Sequence, residues 1–223
     1  VRIKHYISQI IKNTKMKKTF LLLFIFSMFL SNVMAQNDEI QPWDMFIGAK
    51  GGVNYSNLTV LGGDYKLGGV GGIFAEIYAT KGFSINTELT YSRQGSKNVI
   101  RSEAEYPDSY GTYFYKLDYF NTNYLLVWHL TKNIGIYTGA HVGLVINAKS
   151  IFNNVETKIK KEIHRGDISI PVGLCFEVKN FVIDARYYQP IREIAKSPLA
   201  HQVLKNAKNR VFEVTLGYRI QFM

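Results

Sequence analysis

The stretch that most limits what this chain can become is residues 211–223, where apolar and polar side chains alternate without a break. Phe212, Val214, Leu216, Tyr218, Ile220 and Phe222 share one parity, and Glu213, Thr215, Gly217, Arg219 and Gln221 share the other. Successive side chains of a strand point to opposite faces, so this segment predicts a strand with one oily side and one polar, charged side. Such a strand at the end of a chain suits a sheet that closes on itself, because lipid tolerates no unpaired sheet edge.

Similar alternation marks seven earlier segments, at about 45–54, 67–79, 83–94, 114–130, 134–148, 167–178 and 181–188. The stretches between the eight segments run long, short, long, short, long, short, long. The short ones are Thr80-Lys81-Gly82, Thr131-Lys132-Asn133 and Lys179-Asn180. Membrane barrels sort their connections this way, with long loops outside and short turns on the periplasmic side. The expectation is therefore an all-β chain folded as an eight-stranded antiparallel up-and-down transmembrane β-barrel over residues 45–223. A mean hydropathy of −0.06 agrees, since alternation averages near zero where a helical membrane protein would score higher.

Ahead of the barrel, Met16-Lys17-Lys18 precedes an apolar run from Phe20 to Leu30 and a small-residue site ending at Ala35. A basic start, a short apolar core and a small-residue boundary predict a cleaved export signal over 16–35. The core falls short of the ~20 residues a spanning helix needs. Residues 1–15 are set aside as an extended start or long basic region, and 36–44 as a periplasmic lead-in. Six of the 27 basic residues and none of the 17 acidic ones lie before Gln36, so the formal +10 falls to +4 beyond it. That mild excess points to no nucleic-acid partner. The single Cys175 excludes an internal disulfide.

Alternation alone does not say which face looks outward, and a soluble lipocalin-like binding barrel would turn its oily face inward. The polar parity carries Lys50, Glu76, Glu88, Asp184, Arg186, Glu213 and Arg219, a mixture of signs that predicts a self-neutralising lumen. Lys50 and Arg219 are expected to pair among Glu76, Glu88 and Glu213. An aromatic girdle at the membrane interfaces is expected from Tyr91, Tyr119, Trp128, Tyr187, Tyr218 and Phe222. Eight strands enclose a bore that side chains fill, so diffusion of solutes is not expected.

Several stretches carry a resemblance: Gly48-Ala-Lys-Gly-Gly-Val-Asn-Tyr-Ser-Asn-Leu58, Phe83-Ser-Ile-Asn-Thr-Glu-Leu-Thr-Tyr-Ser-Arg-Gln-Gly95, Leu117-Asp-Tyr119, and Asn209-Arg-Val-Phe212 with Leu216-Gly-Tyr-Arg219. Together they resemble the PorT-like outer-membrane β-barrel family, with Asn121 and Asn123 standing where that family usually has an acidic residue and a proline. The resemblance implies a cell outer-membrane location. It also implies a link, in some members, to protein secretion. Implied partners are outer-membrane lipid, the barrel-assembly machinery and secretion-system or envelope proteins. It transfers no catalytic residue.

Small barrels can also be lipid-modifying enzymes, which makes His129 and His141, with Asp184, Ser169 and Ser92, the candidate residues. A triad needs nucleophile, base and orienter within hydrogen-bond reach, and these strand positions do not converge. No enzyme, cofactor or metal site is expected, and no His/Cys/carboxylate spacing has a metal-ligand pattern. The glycine run at 68–72 leads into a strand rather than a helix, unlike a phosphate loop. Lys158, Lys160, Lys161 and Arg165 make the third long loop basic, suited to solvent or to phosphates of surface lipids.

Overall fold

The computed structural model describes residues 40–59, 64–100, 111–152, 155–194 and 207–222; the leader 1–15, the signal-like stretch 16–35 and Met223 lie outside them. Among the described residues are nine strands: β1 (Met45–Leu58), β2 (Asp64–Thr80), β3 (Phe83–Ile100), β4 (Gly111–His129), β5 (Ile134–Phe152), β6 (Val155–Lys158), β7 (Gly166–Val178), β8 (Phe181–Pro190) and β9 (Asn209–Gln221). The long strands pair antiparallel in the order β4-β3-β2-β1-β9-β8-β7-β5, and β4 pairs β5 to shut the ring. The alternating strand at 211–223 makes the seam. It pairs with β1 from Phe46↔Gln221 to Leu58↔Asn209, so the described ring has no open edge. Tight connections lie at one end, and Lys179 takes a positive φ of 54° in the two-residue turn before β8.

The two faces of each strand separate as the alternation requires. Along β9, Glu213 is 2% exposed and Leu216 55%. Ile73, Val172, Leu174 and Ile183 are likewise exposed, while Lys50, Glu76, Glu88, Arg186 and Arg219 are buried. The barrel is thus oily outside and ionic inside, the inverse of a water-soluble barrel and the order expected in hydrocarbon.

Aromatic pairs mark both rims of the oily band. At the turn end, Phe83 meets Trp128 edge-on at 5.6 Å and Phe181 meets Tyr218 at 5.2 Å. Further along β3, Tyr91 pairs with Phe120. With a rise of about 3.3 Å per residue and a tilt of about 40°, the Tyr91 pair stands roughly 20 Å above the Phe83 pair. That nearly spans an apolar band of about 25 Å. Tyr187 lies on the outer face between these levels, and Phe222 is exposed at the turn end.

Tyr119 does not belong to this girdle. It is 2% exposed and packs inside with Tyr115 and Leu117. It shares parity with the buried Asn121 and Asn123, whereas its outward neighbour is Phe120.

Several strands outrun the oily band. β3 continues to Ile100 and β4 begins at Gly111, within what alternation alone leaves as a loop. β5 runs on to Phe152 and is met by β6, from Phe152↔Val155 to Lys149↔Lys158, inside the third long loop. Beyond the membrane both faces of a hairpin meet water, so the two-fold pattern fades while the hydrogen-bond ladder persists.

The glycine run at 68–72 is part of β2. A side chain at Gly72 would collide with the carbonyl oxygen of Leu89, and one at Gly52 with that of Val214. Their role is close backbone approach within a tightly coiled sheet.

Candidate functional site: the charged lumen

Inward-facing residues from alternate strands form layers across the bore. The central layer is built on β1, β3, β5 and β8, and its hub is Arg186, 1% exposed. Nε and Nη2 of Arg186 donate to the two oxygens of Asp184, at 2.9 and 2.7 Å. Nη1 and Nη2 donate to Glu88 Oε2 and Oε1, at 2.6 and 2.8 Å, and Nη1 also donates to Tyr188 Oη at 3.3 Å. Five N–H groups thus find five acceptors, the full capacity of a guanidinium. The Tyr137 ring lies 5.2 Å from the same group. β3 and β8 stand opposite each other in the ring, so Arg186 is a bar across the diameter.

Glu88 is as fully engaged as its partner. Lys50 Nζ donates to Oε1 at 2.6 Å, and Asn123 Nδ2 donates to Oε2 at 2.8 Å. Glu213 accepts from Tyr188 Oη at 3.4 Å and lies 3.9 Å from Arg186 Nε, so it is Arg186 that it faces. Lys50 pairs with Glu88, whereas Arg219 binds Glu76 at 2.7 Å and Glu177 at 2.6 Å, away from Glu88 and Glu213. Such closeness matters in a bore this filled, where a buried unpaired charge costs several kcal/mol.

Glu177 is a member of the network that the sequence reading missed. It shares inward parity with Cys175 on β7 and is 4% exposed, a position that alternation alone could have assigned. The hydroxyls of Tyr78 and Tyr188 escaped notice for a different reason. Aromatic residues inside a bore contradict a simple oily-out rule, and only the partners show that their polar tips are used.

The two histidines sit in different layers. His141 hydrogen-bonds Asn123 Oδ1 at 2.7 Å and has Ser169 opposite on β7. His129 lies 2.9 Å from Ser84 Oγ, a serine not considered from the sequence. Ser92 instead bonds Asn54 and Gln94, and Asp184 bonds Arg186. Ser84 is fully buried and donates to Glu76 at 2.6 Å, an arrangement that shields rather than presents a nucleophile.

Between the layers lies a cavity of about 20 Å³, lined by Lys50, Glu76, Glu88, Glu177, Asp184 and Thr215 among others. That is room for one or two waters. At the loop end, Ile163, Ile194 and Ala207 pack on Leu58, Leu117 and Tyr119. Backbone bonds from His164 to Ile194 and from Ile194 to Ala207, both 2.8 Å, knit two loops into this cap. Lys158, Lys160, Lys161 and Arg165 are exposed beside it, with Lys160 donating to the Ile146 carbonyl at 2.6 Å. Lys149 bonds Glu156 at 2.7 Å, which holds that carboxyl below its ordinary range.

Solved structures with a similar fold include Ail, the attachment invasion locus protein of Yersinia pestis, at 17% identity over 81% of this chain and 100% of that one, with a TM-score of 0.45. Neisserial surface protein A matches at 15% identity over 80% and 97%, TM-score 0.46. OprG from Pseudomonas aeruginosa matches at 12% over 82% and 99%, TM-score 0.44. No curated protein matches the sequence. The family model described as an outer membrane protein beta-barrel domain matches residues 34–196. A model spanning most of the chain and the closed eight-stranded antiparallel ring agree: this chain belongs to the outer membrane protein β-barrel domain family.

Proposed function

We propose that this outer-membrane barrel is a plugged scaffold whose work is structural or interactive and is done at its loop end, not a pore and not an enzyme. The observation that carries the reading is Arg186, which ties β8 to β3 across the bore with every donor used. A permeant ion would have to break those bonds, leaving charges unpaired in a medium of low polarity. Within the broader family, the PorT-like resemblance favours a role beside protein secretion. The partners are then outer-membrane lipid, the barrel-assembly machinery that inserts the chain, and secretion or envelope proteins met by the loops.

Planar-bilayer recording tests the plug. The purified monomer is expected to give no large, steady conductance, and Arg186→Ala is expected to leak more than the parent. A stable porin-like current from the unmodified protein would overturn the plugged reading.

A further inference from the structure

The turn-end layer of the lumen is built differently from the central one. Glu76 on β2, His129 on β4, Glu177 on β7 and Arg219 on β9 come from the other four strands of the ring. Arg219 takes Oε2 of Glu76 and Oε2 of Glu177, while Oε1 of Glu76 accepts from Ser84 Oγ at 2.6 Å and Oε1 of Glu177 has only the Cys175 thiol, 3.8 Å away. Those two oxygens lie 3.7 Å from Nε2 and 3.9 Å from Nδ1 of His129. The three residues can offer one ligand atom each with all such atoms within 4.8 Å of one another.

Charge and space both ask for a further group here. Two carboxylates face one guanidinium, so with a neutral imidazole one negative charge is left over, in side chains only 3–6% exposed. A charge so buried needs a counter-charge, and a divalent ion carrying one hydroxide supplies a single positive one. The cavity that Glu76 and Glu177 border is also lined by Thr215, 2% exposed, whose Oγ1 has no partner among the described residues. Cys175 Sγ stands 3.8 Å from Glu177 Oε1 on the same wall.

We propose that Glu76, Glu177 and one ring nitrogen of His129 bind a divalent transition-metal ion of the zinc class, with cavity water completing the shell. One imidazole with two carboxylates is a donor set for zinc and its neighbours rather than for calcium or magnesium. Bond lengths of about 2.05 Å place tetrahedral ligand atoms ~3.4 Å apart, so atoms now within 4.8 Å of one another draw together on binding, and Ser84 Oγ, 2.9 Å from Nε2, turns aside. Arg219 is the outer partner that fixes both carboxylates. The ion staples β2, β4 and β7, none of them neighbours in the ring, just inside the turn-end mouth: His129 is the last residue of β4, and Glu177 lies two residues before the Lys179 turn.

No spacing in the chain hints at this site, because the ligands are brought together only when the ring closes. The test is metal uptake by the folded protein in detergent, stripped with chelator and then given Zn²⁺ or, for its visible spectrum, Co²⁺. One ion per chain is expected, with affinity falling at least about tenfold in His129→Ala and in Glu177→Gln, and unchanged in His141→Ala. Unboiled gel mobility monitors folding of each variant. Glu177→Gln removes the surplus charge, so it keeps the test valid should His129→Ala fold poorly. Absence of stoichiometric uptake by the folded parent, as when His129 merely carries a proton, overturns the proposal. So does undiminished uptake in both folded ligand variants.

Discussion

Replacing Arg186 by alanine is expected to destabilise the barrel by about 3–5 kcal/mol, the cost of breaking a buried ion pair by removing one partner. Glu88, Asp184 and Glu213 all face this guanidinium, and Lys50 alone would remain to meet them. Arg186→Lys is expected to recover only part of the loss. An ammonium has three donors where five acceptors wait, and it cannot fork to two carboxylates at once. Arg186→Met with Glu88→Gln and Asp184→Asn is expected to be more stable than Arg186→Ala, because only Lys50 and Glu213, opposite in sign, then remain charged in this layer. Reversible urea unfolding in lipid vesicles, followed by tryptophan fluorescence, measures each difference. A cost below about 1 kcal/mol for Arg186→Ala would mean that water enters the lumen freely and solvates the acids, and the plugged reading would fall with it.

How much of the structure is legible in the sequence follows from which signals are local. Strand alternation is local, and it marked the eight ring strands, their short turns and the inward side of Lys50, Glu88 and Arg219. Who pairs with whom across the bore is not local. Arg186 and Glu88 are 98 residues apart and meet only because β3 and β8 fall on opposite sides of the closed ring. The same holds for Glu76, His129 and Glu177. Tyr119 shows a second limit. Its ring invited placement at a lipid interface, yet parity, the stronger rule, sends it inward beneath the cap of Ile163 and Ile194. β6 shows a third: Val155–Lys158 is exposed throughout, so nothing in its side chains separates it from a loop.

The outward face is where the second large effect lies. Val214 pairs with Ala185 on one side and Val53 on the other, four residues above the Phe181–Tyr218 rim, and it is 38% exposed. Arginine there would have to sit in hydrocarbon. Val214→Arg is therefore expected to cost about 2–4 kcal/mol in vesicles, whereas Phe222→Arg, at the turn-end edge, is expected to cost about 0–1 kcal/mol. Depth explains the difference, since a long side chain near an interface reaches headgroups and one near the midplane does not. The same two variants separate a membrane barrel from a soluble one. If this face met water, exchanging an exposed apolar residue for arginine would change stability within about 0.5 kcal/mol at either site. Equal, small effects at Val214 and Phe222 would thus remove the membrane reading. A steep dependence on position locates the bilayer against the strands, with its turn-end boundary at the level of Trp128, Phe181 and Tyr218.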